Sequence, residues 1–145
     1  MTTQGSTWYV DFFRRDYLNV YGHLFTAERA GKEAAFIEKA LGLERGARVL
    51  DLCCGQGRHS VPLAQRGFEV TSLDLNPEYL ELATQAAAAA RVAIKTVTAD
   101  MREIPFQNHF DAIVNMYSSF GYLESEADDA AVLQSTKSSV NNCAL

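Results

Sequence analysis

Short apolar runs alternate along the chain with longer stretches in which apolar residues return every three or four positions. Four of the runs read as strands, at 48–53, 69–73, 93–97 and 110–114. The first is mostly apolar, as expected of a strand buried on both faces of a parallel sheet. Thr26 is placed to cap a helix that runs to about Leu41 and ends at Gly42, with Phe36, Ile37, Ala40 and Leu41 on its apolar face. Residues 58–66 read as a helix stopped by Gly67, with Pro62 early enough that its missing N–H costs little. Asn76 and Pro77 are an N-cap and first helical residue, and the alanines at 86–90 prolong that helix. Ser125 followed by Asp128 resembles a capping box and predicts a helix over 126–134. Strands alternating with helices predict an α/β fold with a mainly parallel sheet.

The two ends depart from this rhythm. Between Trp8 and Tyr21 the chain is dense in aromatics, and Phe13, Tyr17 and Tyr21 recur at a spacing of four. That spacing puts them on one helical face, which suits either a helix packed on the core or a cap over a pocket. At the other end, residues 135–142 are polar with no period and read as a disordered tail. The chain divides into one unit over 1–134, with a helical cap at 8–42, and a polar tail at 135–145.

Composition narrows the class. With 48% apolar and 21% charged residues this is a globular protein with enough chain for one core. A net charge of -5 argues against a broad nucleic-acid surface. Residues 1–6 are polar, without a signal-peptide apolar core, and no stretch nears the roughly 20 apolar residues of a membrane helix. Three cysteines, Cys53 and Cys54 adjacent, form neither a disulfide framework nor a metal-ligand spacing. A cytoplasmic setting without a bound metal is expected.

The chemistry gathers where the strands end, because open α/β sheets bind ligands beyond the carboxyl ends of their strands. Gly55 and Gly57 make a turn after the first strand, and the helix that follows offers unpaired N–H groups to a ligand. Gly55-x-Gly57 also opens dinucleotide sites. However, Ser60 stands where the third glycine of that fingerprint belongs. Asp51 suits a ligand ammonium better than a pyrophosphate. Asp74 can accept both hydroxyls of a ribose, and Asp100 is a third acid at a strand end.

The segments Asp51-Leu52-Cys53-Cys54-Gly55-Gln56-Gly57, Leu73-Asp74-Leu75-Asn76, Ala99-Asp100-Met101 and Phe110-Asp111-Ala112-Ile113-Val114 resemble the successive motifs of class I S-adenosylmethionine-dependent methyltransferases. The resemblance covers about residues 10–134 and is closest to the small-molecule enzymes. It implies a Rossmann-like three-layer sandwich preceded by N-terminal helices, incomplete here at about four of seven strands. It implies that the turn from Cys53 to Gly57 wraps the methionine part of S-adenosyl-L-methionine, with Asp51 orienting that end. Asp74 would bind the ribose hydroxyls, Asp100 and Met101 would meet the adenine, and Asn115 and Met116 the floor near the sulfonium, with Leu75 also at the cofactor. Asn115-Met116-Tyr117-Ser118 lacks the Pro-Pro-aromatic arrangement of enzymes acting on nucleic-acid base amines.

The expected function is methyl transfer to a small-molecule acceptor, with no nucleic-acid or membrane partner. Tyr9, Tyr17, His23, His59 and Tyr117 are candidate general bases with nothing to rank them, so the catalytic residue is left unassigned. Two alternatives stand beside it: a truncated, inactive cofactor-binding module, and a nicotinamide-dependent oxidoreductase. No fifth strand is legible after residue 134, so the chain reads as cut short, with the apolar edge of the fourth strand open to self-association.

Overall fold

A computed structural model describes residues 7–117 and 119–141. Residues 1–6, Ser118 and the end of the expected tail, 142–145, lie outside the described residues. Among the described residues the sheet has four strands: β1 (Arg48–Leu52), β2 (Glu69–Asp74), β3 (Lys95–Thr98) and β4 (Ala112–Val114). Their order is β3-β2-β1-β4, and every pairing is parallel. Alternate residues of β1 face opposite sides. Val49 packs with Ala34, Ile37, Leu63, Phe68 and Val114; Leu50 packs with Leu73, Met101, Ile104, Phe110 and Val132. These two clusters are the interfaces of a three-layer α/β sandwich, as expected.

The N-terminal aromatics form two short helices rather than one, α1 (Trp8–Phe12) and α2 (Arg15–Tyr21), followed by a 3-10 turn at Gly22–Leu24. No residue of α1 is buried, so it is not a core helix. The next helix, α3 (Ala27–Leu41), starts on the Thr26 side chain, which accepts from Arg29 N, and ends at Gly42 in the left-handed region, φ +59°. Its buried residues, Ala30, Ala34 and Ile37, keep a helical spacing.

Helix α4 (Ser60–Gln65) is shorter than the expected span of 58–66. Gly57 has φ +83°, which no right-handed helix accommodates, and Arg58 and His59 continue the turn that it begins. Gly57 is also the point of closest approach to α5 (Pro77–Ala89). A Cβ there would stand 2.8 Å from Ala83 Cβ. Asn76 caps α5 by accepting from Glu78 N.

The C-terminal expectation needs correction. Helix α6 (Glu126–Ser139) continues five residues beyond Gln134, through sequence that reads as disordered. Its polar side chains are used on backbone groups. Ser135 Oγ accepts from Ile104 N at 2.7 Å, and the fully buried Ser139 donates to Phe106 O at 3.1 Å. The last carbonyls of the helix accept from the backbone at 108–110. The chain then turns extended, and Val140 bridges Phe110 in parallel, with Asn141 N donating to Phe110 O at 2.7 Å. A single parallel bridge therefore reaches Phe110, just before β4, which is shorter than the expected strand over 110–114.

Candidate functional site

Above the carboxyl ends of the strands lies a cleft of about 770 Å³, of the size that holds small ligands. Its acid wall follows the sheet. Asp51 in β1 is 2% exposed; its Oδ2 accepts from Ser60 Oγ at 2.6 Å, and Ser60 in turn accepts from Ser72 Oγ at 2.7 Å. Burial pushes the Asp51 carboxyl up to about 6, against the Ser60 bond that lowers it. Asp74, at the end of β2, accepts from Gly55 N with one oxygen and from Asn76 N with the other, both at 2.9 Å. It therefore ties the glycine turn to the second strand as well as facing the cleft. Burial raises its carboxyl, against these backbone bonds.

Asp100 lines the same cleft beyond β3. Arg102 holds both its oxygens, with Nε on Oδ1 at 3.0 Å and Nη2 on Oδ2 at 2.7 Å, and reaches Asp128 at 2.9 Å. The guanidinium keeps the Asp100 carboxyl below its usual range.

Cys53 carries φ +58°, a left-handed conformation uncommon for a residue with a side chain. Its Sγ lies 3.6 Å from Met101 Sδ. Burial, then the nearby Asp74, pushes the Cys53 thiol up to about 12, and burial raises Cys54 as well. Both stay protonated at neutral pH, which removes them as nucleophiles.

Of the residues expected at a cofactor site, Asp51, Cys53, Gly55, Asp74, Leu75, Asp100, Met101 and Met116 line the cleft together. Two do not. Gly57 is buried against Ala83, and its value is that close helix packing. Asn115 turns back to donate from Nδ2 to Leu52 O at 2.9 Å, joining the ends of β4 and β1.

The aromatic N-terminus forms the roof. Tyr9, Phe13 and Tyr17 line the cleft, and Phe13 stacks on Tyr122 from the opposite rim at 5.6 Å. Asn76 Nδ2 donates to Phe13 O at 3.0 Å, fastening the roof to the start of α5. These aromatic side chains therefore border the cleft, and none of them is fully buried. Among the candidate bases Tyr9, Tyr17, His59 and Tyr117 reach the cleft, whereas His23 is exposed and does not line it.

Sequence reasoning missed Glu33. Its Oε2 lies 2.7 Å from His59 Nε2, while Oε1 accepts from Arg29 Nε at 3.0 Å and from the Tyr117 hydroxyl. Burial would raise this carboxyl, but the bonds from Tyr117, His59 and Arg29 prevail and bring it down to about 2. The only local signal, Arg29 four residues before Glu33, is what an ordinary solvated helix face shows.

Comparison with known proteins agrees with this layout. The chain is 39% identical over 113 residues to the YqeM protein of Bacillus subtilis, named for a methyltransferase, covering 77% of this chain and 44% of that one. It is 36% identical over 102 residues to the glycine/sarcosine N-methyltransferase of Aphanothece halophytica, covering 69% and 38%. Among solved structures, a TehB-like SAM-dependent methyltransferase from Corynebacterium glutamicum matches at 29% identity and a TM-score of 0.65, covering 75% and 56%. The chain thus spans less than half the length of these two curated relatives. Residues 49–141, from the first strand of the acid wall to the end of the described chain, match the pattern of the methyltransferase domain, and the protein belongs to that family.

Proposed function

We propose that the cleft binds S-adenosyl-L-methionine and that the protein transfers its methyl group to a small-molecule acceptor. The observation that carries this reading is the series of carboxylates Asp51, Asp74 and Asp100 at three neighbouring strand ends, lining one cleft with the glycine turn. The residues fit that cofactor. Gly55 leaves open space, since a Cβ there would meet nothing nearer than Tyr79 Cδ2 at 3.9 Å. Asp51 and the turn 53–55 would hold the amino-acid end, Asp74 the ribose hydroxyls, and Asp100 with Met101 the adenine. Acids at these three points suit an ammonium, a diol and an aromatic amine, and oppose a pyrophosphate.

The cofactor supplies a methyl group that its sulfonium already makes electrophilic. The chain's share is alignment of the acceptor for in-line displacement, worth up to about 7–11 kcal/mol. Tyr9, Phe13 and Tyr17 would shield that path on the roof side. Relatives named for glycine and sarcosine N-methylation support a small amine as acceptor. No helix among the described residues is long and apolar enough to cross a membrane, which is compatible with a cytoplasmic enzyme.

Incubation with methyl-labelled cofactor and a panel of small amines, thiols and hydroxy compounds tests the reading. Label transferred to one class is expected. Tight S-adenosylhomocysteine binding with no transfer would favour the rival reading, a binding module. Self-association through β4 is also proposed, and light scattering that shows only monomer removes it.

A further inference from the structure

The acids of the cleft stand over β1, β2 and β3. On the other side of β1 the wall has the opposite charge. Arg58, from the turn, lies with its Cζ 4.6 Å from the ring centre of Phe25 and 4.0 Å from that of Tyr117. Arg29 approaches the same Tyr117 ring at 5.5 Å. Between the two arginines stands one carboxylate, Glu33, which also serves His59 and the Tyr117 hydroxyl. Two guanidiniums against one carboxylate leave a net positive charge of one when His59 is neutral.

Of these groups Arg58 and His59 face the cleft, whereas Arg29 and Glu33 do not line it. Phe25, Arg58, His59, Met116 and Tyr117 all line the cleft. The Arg58 side chain is only 11% exposed, and among the described residues its polar partner is Glu33, at 3.3 Å. A guanidinium carries five N–H donors. The two rings hold it in place without using them. β4 pairs with β1 on the side away from β2, so Met116 and Tyr117, just beyond it, mark the end of the cleft opposite Asp100.

We propose that this wall is a carboxylate subsite for the methyl acceptor, in which Arg58 pairs with the acceptor's carboxylate, Phe25 and Tyr117 hold the guanidinium, and Glu33 positions it. The inference rests on the reading that the acid wall takes the cofactor, which leaves the β4 end for the acceptor. A monoanion matches the one guanidinium that faces the cleft. A planar carboxylate also matches the guanidinium fork, where charge-assisted pairing is strongest.

Titration of the full chain, saturated with S-adenosylhomocysteine, with acetate, glycine and methylamine tests this by NMR shift changes. Acetate and glycine should bind saturably, and methylamine at least about tenfold more weakly. Arg58→Gln should weaken acetate and glycine about tenfold or more, and leave S-adenosylhomocysteine and 5′-methylthioadenosine within about threefold of the parent. Arg58→Lys should restore only part of the carboxylate binding, because it offers a point charge without the fork. If Arg58→Gln does not fold, Tyr117→Leu removes one ring and no charge, and should weaken acetate severalfold. Absence of saturable acetate or glycine binding, or unchanged binding in Arg58→Gln or in its stand-in Tyr117→Leu, overturns the proposal. So does a variant that loses S-adenosylhomocysteine but keeps 5′-methylthioadenosine, since Arg58 would then hold the cofactor's own carboxylate. If the parent fails to bind S-adenosylhomocysteine, the cofactor reading is what fails; acetate titration of the unloaded chain still reads the subsite.

Discussion

The two walls of the cleft are fixed by different means. At its centre the acid wall is tied to backbone, where Asp74 accepts two main-chain N–H groups; beside it Asp51 accepts from Ser60, which accepts in turn from Ser72. The basic wall is made of side chains alone, gathered on Glu33 from 25, 26 and 84 residues away. A backbone-bound wall fails when its turn cannot form. A side-chain hub fails when its one shared partner is lost. Substitutions chosen on this contrast should separate the walls.

The largest effect is expected at Gly57. Ala there would place Cβ 2.8 Å from Ala83 Cβ and 3.1 Å from its Cα, at φ +83°. Overpacking and backbone strain together should cost about 3 kcal/mol of stability in urea melts. Loss on this scale would show that the turn under the acid wall depends on that approach; a neutral result would break the contrast. Next is Asp74→Ala, which removes the acceptor of Gly55 N and the proposed partner of the ribose. S-adenosylhomocysteine affinity should fall tenfold to a hundredfold, about 1.5–3 kcal/mol, in calorimetry below the melting point.

Glu33→Gln tests the other wall. The Glu33 carboxyl lies lowered in the folded state, from 4.5 to about 2. It therefore contributes stability above pH 4.5 that is lost as pH falls through about 2. The variant should be less stable by about 2 kcal/mol at neutral pH, allowing for solvent screening, and should converge on the parent in acid. The smallest effect has the opposite sign. Asp51 is raised from 3.8 to about 6, so the folded state holds its proton longer and ionisation costs stability as pH rises through that window. An Asn at this position can still accept from Ser60. Asp51→Asn should match the parent near pH 4 and gain on its stability as pH rises through about 6, read in urea melts.

The same contrast decides what was legible in the sequence. The acid wall could be read because its parts are local. A strand, an acid, a glycine turn and a capped helix repeat at short spacing, and the Thr26, Asn76 and Ser125 caps lie where expected. Gly57 and Asn115 were legible as members of the motif, but not as packing and strand-tying residues, because those partners are set by tertiary contact. The basic wall was not legible. Nothing local links Glu33 to His59 or Tyr117. The end of α6 was misread for a related reason. Ser135 and Ser139 look like a solvated tail, yet they bond backbone groups of the loop at 104–106, and only the fold brings that loop to them.

The central claim, that the acid wall is an S-adenosylmethionine site, is tested most directly by calorimetric titration of the chain and of Asp74→Ala with S-adenosylhomocysteine and with NAD. The predicted result is saturable binding of S-adenosylhomocysteine to the parent, at least about tenfold weaker binding to the variant, and no comparable binding of NAD. NAD binding as tightly as S-adenosylhomocysteine, or a folded Asp74→Ala that binds S-adenosylhomocysteine undiminished, would contradict it.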